Sequence, residues 1–188
     1  MIRRLPVVPT LVVLCAAGLM IGLGFWQIAR LHQKEAMLAR YGAAQHDPQP
    51  VAWPGDAESA RRVYYRHSMI RCASAEDFGA VAGRNAAGTP GWAHVARCVL
   101  ANGGGAARVV LGWSDNPATI GWPGGTVQGI IAPGPRLVAD PPLAGLAANA
   151  RPDPREIPNN HLSYAVQWFL FAATALVIYT IALRRRPG

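Results

Sequence analysis

Two long apolar runs lie near the ends of this 188-residue chain, separated by a segment of mixed composition. They cover residues 7–29 and 162–183, and neither contains a charged residue. At about 1.5 Å of helix per residue, each run is longer than the roughly 30 Å of hydrocarbon in a bilayer. Both are therefore predicted to be transmembrane helices. Because no A-x-A site follows the first run, we expect an uncleaved anchor and not a secretory signal.

The segment between the two runs has the pattern of short strands. Four stretches rich in Val, Ile, Tyr and Trp are predicted to be strands, at residues 63–72, 92–100, 108–113 and 126–131. The NGGG sequence at 102–105 predicts a hairpin connection, and Gly and Pro divide the rest into short pieces. Residues 33–41 are expected to continue the first helix, and residues 140–158 to return to the membrane as an extended segment.

These elements predict an α+β membrane protein in which two transmembrane helices flank one small antiparallel β domain, either a sheet or a partly open barrel. The predicted order is a tail (residues 1–6), the first span (7–29), the β domain with its linkers (30–161), the second span (162–183) and a second tail (184–188).

The charge distribution predicts the orientation of the chain. All ten acidic residues lie between the two runs, whereas the tails carry only cations, namely Arg3, Arg4, Arg184, Arg185 and Arg186. Positively charged flanks stay in the cytoplasm, so both termini are expected there and the β domain in the periplasm of a bacterial plasma (inner) membrane. The formal net charge of +8 thus lies largely where membrane lipids would meet it. A nucleic-acid partner is therefore not expected.

The sequence leaves the state of two cysteines open. Cys72 and Cys98 both fall in predicted strands of a domain that we place in an oxidising compartment, where a disulfide can form. The alternative is two buried small side chains. The chain lacks the G-x-S-x-G, P-loop, H-E-x-x-H and C-x-x-C patterns. No catalytic residue can be named, and we do not expect an enzyme.

The most informative residue is His161, in the first turn of the second predicted helix. An ionisable group at the edge of a membrane span is a functional candidate by default. The positive end of the helix dipole disfavours an imidazolium there, and a neutral imidazole can bind a metal. A haem would fit, with His161 as axial ligand, Arg30 pairing with the propionates, and Gln27 or His32 assisting. The alternative is an ordinary hydrogen bond from His161 to Gln27 or to the β domain.

The surroundings of His161 also allow more than one interpretation. Helical spacing places a set of mostly small or flat side chains below His161 on one face of the second helix, namely Ala165, Trp168, Ala172, Ala175 and Tyr179. This face could accept either a neighbouring helix or a planar apolar ligand. Trp26, Tyr164 and Trp168 are equally the residues expected of an aromatic belt at the membrane surface. Gly18 and Gly22 predict close packing of the two spans.

Two motifs resemble the surfeit locus 1 protein family, the assembly factors of cytochrome c oxidase. Residues 24–30 (GFWQIAR) resemble the family's G-x-W-Q-x-x-R pattern, and residues 159–169 (NNHLSYAVQWF) resemble its N-N-H-L-x-Y-A-x-Q-W-F signature. Looser matches in the middle of the chain are Gly83-Arg84, Pro90-Gly91-Trp92 and Gly112-Trp113. Leu111 stands where the family's R-G-W element has Arg.

The resemblance implies a non-catalytic chaperone that handles haem a before or during its insertion into the catalytic subunit of the oxidase. It makes His161 the candidate ligand of the haem iron, with Trp26, Gln27, Arg30, Tyr164 and Trp168 as supporting positions. The implied partners are the catalytic subunit, haem a synthesis enzymes and membrane lipids. The alternative function is a non-haem scaffold or accessory membrane subunit of the oxidase.

Overall fold

The structure, a computed structural model, describes residues 6–185 as two compact units. The helix unit comprises residues up to 38 together with those from 157 onward, and the barrel unit comprises residues 39–156. Arg3, Arg4 and Arg186, which contributed to the predicted orientation, lie outside the described residues. The elements in chain order are α1 (Val7–Gln45), α2 (Ala57–Val63), β1 (His67–Arg84), β2 (Pro90–Leu100), β3 (Ala106–Ser114), β4 (Gly125–Ala132), β5 (Arg136–Ala139), a single 3-10 turn (Pro154–Glu156) and α3 (His161–Arg185).

The helix unit consists of most of α1 and all of α3, and both helices are long and apolar enough to cross a membrane. Only 11% and 6% of their most apolar stretches are buried within the structure. A core helix of a water-soluble protein would bury most of such a stretch, so the exposed apolar surface is compatible with a membrane protein. As predicted, α1 continues past its apolar part, and it ends at Gln45.

The five strands of the barrel unit form a closed barrel in the order β1-β2-β3-β5-β4, with β4 paired back onto β1. The pair β3–β5 is parallel and the other four pairs are antiparallel. The prediction of a small β domain between two apolar helices is thus confirmed in part, since four of the five strand pairs are antiparallel. The structure differs in that the sheet is mixed and closes into a barrel. Strand direction cannot alternate throughout a closed ring with an odd number of strands, so at least one pair must be parallel.

The strand boundaries differ from the prediction at three places. Residues 63–66 are not a strand, because α2 ends at Val63 and Tyr65 takes a left-handed φ of 67° before β1 begins. β1 then continues to Arg84, through a mostly exposed stretch rich in Ala and Gly that gave no apolar signal. β5 was missed because it has only four residues and directly follows a Pro-Gly-Pro turn.

The buried interior of the barrel is mostly apolar and carries a disulfide. Fully buried apolar side chains of β3, β4 and β5 contribute to it, including Val109, Leu111, Val127, Ile131 and Leu137. A disulfide joins Cys72 on β1 to Cys98 on β2, with a Cα–Cα distance of 5.3 Å. The bond therefore ties together two neighbouring strands that also hydrogen-bond to each other.

The segment after β5, predicted to be a simple extended return, hydrogen-bonds along the barrel. Leu143 N donates to Leu111 O at 2.8 Å, and Trp113 and Ala147 exchange two backbone hydrogen bonds. Gly112 permits this approach, since a Cβ there would lie 2.3 Å from Cβ of Leu146. The segment thus forms part of the barrel unit.

The looser family matches occupy packing positions in this same region. A Cβ on Gly91 would lie 2.4 Å from the indole ring of Trp113. Arg84 O accepts a hydrogen bond from Ala150 N. Leu111, at the family's Arg position, is fully buried in the barrel interior, where an apolar side chain suits the surroundings.

Candidate functional site

α1 and α3 pack as antiparallel neighbours that are joined near both ends by side-chain hydrogen bonds. Thr10 Oγ1 lies 2.5 Å from the hydroxyl of Tyr179, and Gln27 Oε1 lies 2.7 Å from Nδ1 of His161. Seventeen residues of α1 and eighteen of α3 separate the two bonds. At 1.5 Å per residue the bonds lie roughly 26 Å apart, close to the thickness of a bilayer core.

The small-residue face of α3 is covered by α1. Ala165 and Ala172 on this face are only 1% and 2% exposed. Of the two occupants that the sequence allowed, the structure contains the neighbouring helix. A planar ligand bound to this hairpin would therefore have to lie beside the helix contact and not on the alanine face itself.

The close approach of the helices occurs at Gly24 and not at the glycines that were predicted. A Cβ on Gly24 would lie 2.6 Å from the ring of Phe169, whereas a Cβ on Gly18 or Gly22 would have nothing within 4 Å. Phe25 packs edge-on against Phe169, with ring centroids 5.4 Å apart. The prediction for Gly18 and Gly22 was wrong because spacing alone does not show which side of a helix meets its neighbour.

The hydrogen bond between Gln27 and His161 determines which nitrogen of the imidazole carries the proton. An amide oxygen can only accept, so Nδ1 of His161 must be the donor. In the neutral ring, Nε2 then keeps its lone pair, and no hydrogen bond reaches Nε2 from any described residue. Histidines that bind metals typically have this arrangement, with the other ring nitrogen donating to a fixed acceptor. From the sequence alone, a hydrogen bond to Gln27 is the alternative to metal binding. The two are compatible, because this bond leaves Nε2 of His161 able to bind a metal.

Helix geometry places the remaining predicted residues of α1 relative to this bond. Measured around α1 from Gly24, Phe25 lies about 100° to one side. Gln27 and Arg30 lie about 60° and 120° to the other side, and Trp26 lies about 160° in that same direction. Phe25 therefore marks one flank of the helix pair and Arg30 the opposite flank. Trp26 lies at the outer edge of the Arg30 side and points almost directly away from α3.

The residues of α3 can be placed around their helix axis in the same way. Measured around α3 from the buried Ala165, Phe169 is turned about 40° to one side, and Trp168 and Tyr164 about 60° and 100° to the other. Because Phe169 touches Phe25, these two residues share a flank. Tyr164 and Trp168 consequently share the opposite flank with Arg30 and Trp26. We call this side of the hairpin, together with Gln27 and His161 at its edge, the Trp26 flank.

The side chains of the Trp26 flank change from charged to aromatic along the helices. Arg30 lies one turn beyond Gln27, away from the apolar run, and its guanidinium donates to Gln33 Oε1 at 2.9 Å. Tyr164 and Trp168 lie one and two turns into the apolar run from His161. Trp26 is 54% exposed and Tyr164 is 50% exposed, while Trp168 is half-buried beside Phe171. A cation, an imidazole and exposed aromatic rings thus follow one another, an order that suits a flat apolar ligand with a charged edge.

Two other predictions about this site can be compared with the structure. His32 lies about 80° from Gly24 on the Phe25 side of α1, so it does not face the same flank as Gln27. The backbone oxygen of Asn160 accepts the first hydrogen bond of α3, from Tyr164 N at 3.2 Å, so the helix begins at His161. Within residues 6–185 no group of three or more His, Cys, Asp or Glu could hold a metal ion.

Comparison with known proteins agrees with the motifs at both helix ends. No curated protein matches the sequence significantly. A family model described as the SURF1 family matches residues 14–173, a range that contains Gln27, His161 and the whole barrel. The match covers well over half of the 188 residues, and the chain therefore belongs to the SURF1 family.

Proposed function

We propose that this protein is an assembly factor for haem a-containing cytochrome c oxidase, and that it binds haem a and positions it for insertion into the catalytic subunit. Members of the SURF1 family are assembly factors and not known enzymes, and membership is consistent with a role in oxidase assembly. The haem part of the proposal depends mainly on one observation. The Nδ1 proton of His161 is engaged by Gln27, and Nε2 is left as a free acceptor.

The residues of the Trp26 flank have separate roles in this proposal. His161 Nε2 would coordinate the iron of the cargo, and Gln27 would hold the imidazole in the required tautomer and orientation. Trp26, Tyr164 and Trp168 would supply apolar contact to the macrocycle. Arg30 would pair with the propionates, because guanidinium and carboxylate form strong bidentate hydrogen bonds.

A chaperone must also release its cargo. The Trp26 flank is open, with Trp26 and Tyr164 about half exposed, and it offers one histidine. Such a site binds more weakly than an enclosed site with complete ligation, so the free energy of transfer favours the final site in the oxidase. Exposure of the site is therefore part of the proposed function.

We further propose that the protein lies in the bacterial inner membrane with both termini in the cytoplasm and the barrel unit in the periplasm. The two apolar helices and the arginines that flank them support this placement. The Cys72–Cys98 disulfide supports it independently, because disulfides persist in oxidising compartments.

A second candidate function is a scaffold or accessory subunit that binds the oxidase without haem. The covered alanine face and the two interhelical hydrogen bonds support the scaffold function, because a purely structural helix pair would have the same features. The two candidates differ in one measurable property, since the scaffold carries no pigment.

The test is the haem content of the full-length protein, purified after co-expression with enzymes of haem a synthesis. We expect a Soret band in the wild type, loss of the band in His161→Ala, and an unchanged band in His32→Ala. The control removes an exposed histidine from the opposite flank of α1. A wild-type protein without pigment that still co-purifies with the catalytic subunit would favour the scaffold. Equal haem content in wild type and His161→Ala would exclude His161 as the ligand.

A further inference from the structure

Three arginines form a row across the outer face of the barrel. Arg97 on β2 is the direct cross-strand partner of Arg108 on β3, and Arg108 is paired in turn with Arg136 on β5. All three side chains are exposed. Neighbouring strands lie about 4.8 Å apart, so the row spans roughly 10 Å. We call these three residues the arginine row.

The arginine row is unfavourable for the barrel alone. Like charges directly opposite each other destabilise a sheet. The two outer members have partners, since Arg97 forms an ion pair with Glu76 and Arg136 donates to the backbone oxygen of Pro133. Within residues 6–185, the central Arg108 makes no hydrogen bond or ion pair. Its charge is flanked by two like charges, and no described residue forms an ion pair with it.

A cleft of about 310 Å³ adjoins the central arginine. Arg97 and Arg108 line it together with Asp77, and small alanine side chains form much of the rest. A protruding side chain of another molecule could therefore enter between the two guanidinium groups.

We propose that the arginine row docks a carboxylate-rich segment of a protein partner. This inference does not rest on haem binding. Arginine binds carboxylates through two parallel hydrogen bonds, and the row contains only arginine. Acidic side chains one turn apart on a helix are about 5–6 Å from each other, close to the spacing between neighbouring strands.

Two observations favour a protein over an anionic lipid surface. The row is one residue wide, whereas lipid-binding surfaces present broad clusters of cations. A flat lipid surface would also leave the cleft beside Arg108 unfilled.

The test measures binding of the full-length protein in detergent to a fluorescent hexaglutamate peptide at low ionic strength. The variants are Arg108→Gln and Arg108→Glu, and the matched control is Arg71→Gln, an exposed arginine on β1 whose partner on β4 is Thr126. We expect binding to weaken about tenfold in Arg108→Gln, more in Arg108→Glu, and little in Arg71→Gln. Arg108→Glu should also raise the melting temperature, because a glutamate would stand between Arg97 and Arg136.

Two further measurements connect the row to a partner. The amount of oxidase catalytic subunit that co-purifies should fall several-fold in Arg108→Glu, while haem content per protein stays at the wild-type value. A loss of haem content with normal co-purification would overturn the docking proposal without supporting or excluding haem binding. Equal weakening of hexaglutamate binding in Arg108→Gln and Arg71→Gln would overturn the docking proposal as well. It would show that binding depends only on the overall positive charge of the protein.

Vesicles provide the last arm of the test. Neutral phosphatidylcholine vesicles are compared with vesicles that also contain phosphatidylglycerol. If the Arg108 variants lose binding to the anionic vesicles but not to hexaglutamate, the row is a membrane contact and the proposal is overturned.

Discussion

Gln27 Oε1 and His161 Nδ1 lie 2.7 Å apart and belong to different helices. The bond therefore has two consequences, because it joins α1 to α3 and it assigns the proton of the imidazole. Neither residue could do this alone, since the acceptor and the imidazole come from different helices. The relationship also brings the two family motifs at the helix ends into contact.

Gln27 is expected to control haem retention through His161. Gln27→Leu removes the acceptor of the Nδ1 proton, and loss of such a partner typically lowers metal affinity by about 10- to 100-fold. We therefore expect less haem in purified Gln27→Leu than in wild type. Gln27→Glu should retain haem and lower its reduction potential, because a carboxylate makes the imidazole a stronger donor. Spectroscopy and a redox titration measure both effects.

The double variant Gln27→Leu with His161→Ala tests whether the two residues act as one unit. Because His161→Ala is already expected to lose the Soret band, the readout is thermal unfolding in detergent. The double variant should unfold at the same midpoint as His161→Ala alone, since both changes break the same hydrogen bond. A lower midpoint in the double variant would show that Gln27 stabilises the helix pair by another contact.

Gly24 is expected to be indispensable for the packing of the hairpin. Gly24→Ala would place a methyl group 2.6 Å from the ring of Phe169 and should destabilise the helix pair by about 1–3 kcal/mol. Gly22→Ala is the control, because nothing lies within 4 Å of its new Cβ. Thermal unfolding in detergent measures both, and Phe169→Leu should partly restore Gly24→Ala. Equal effects at the two glycines would contradict the observed helix contact.

Gly112 is expected to be required for the segment that follows β5 to pack on the barrel. Gly112→Ala would bring its Cβ to 2.3 Å from Cβ of Leu146 and 2.9 Å from the backbone oxygen of Ala147. We expect a loss of about 1–3 kcal/mol in the free energy of unfolding. Gly121→Ala, where the Cβ meets open space, should be nearly neutral. Denaturant unfolding of the full-length variants compares them, and a neutral Gly112→Ala would mean that the segment is not held there.

The Cys72–Cys98 disulfide is expected to stabilise the barrel by restricting the unfolded chain. The two residues are 26 positions apart, and closing a loop of this size corresponds to about 3–4 kcal/mol in the chain-entropy model. Replacing both with alanine should lower the unfolding midpoint by a corresponding amount, and wild type with reductant should behave similarly. Cys15→Ala serves as the control, since Cys15 is a free, exposed thiol on α1. A midpoint insensitive to reductant would contradict the disulfide.

Tyr65 is expected to make the barrel unit sensitive to alkaline pH. Burial raises the pKa of Tyr65 above its ordinary value of 10.0, and the neighbouring Tyr41, Asp153 and Glu156 act in the same direction. The folded state therefore favours the protonated phenol. This stabilisation is fully present below pH 10.0 and is lost as the pH rises through the higher pKa of the folded state. Tyr65→Phe should remove this part of the pH dependence in unfolding measured between about pH 9 and 11. An unchanged alkaline slope would exclude Tyr65 as its source.

The two long apolar helices and the two residues of the interhelical hydrogen bond could be identified from local pattern. An uncharged run of more than 20 residues depends only on composition and length, so α1 and α3 were recognised without tertiary information. His161 was identified because a histidine at the edge of an apolar run is unusual wherever the helix packs. Periodicity likewise placed Ala165, Trp168 and Ala172 on one face of α3, but it did not show that α1 covers that face.

The sequence by itself determined the two apolar helices, four of the five strands and a motif pair characteristic of one family. Only the tertiary structure decided that Gln27 bonds to Nδ1 of His161, that Gly24 and not Gly18 or Gly22 meets the opposite helix, and that the barrel closes through a parallel pair. It also decided that Arg97, Arg108 and Arg136 stand in one row. The physical reason is the same in each case. Composition and periodicity act within one element, whereas register, closure and helix rotation depend on contacts between residues far apart in the chain.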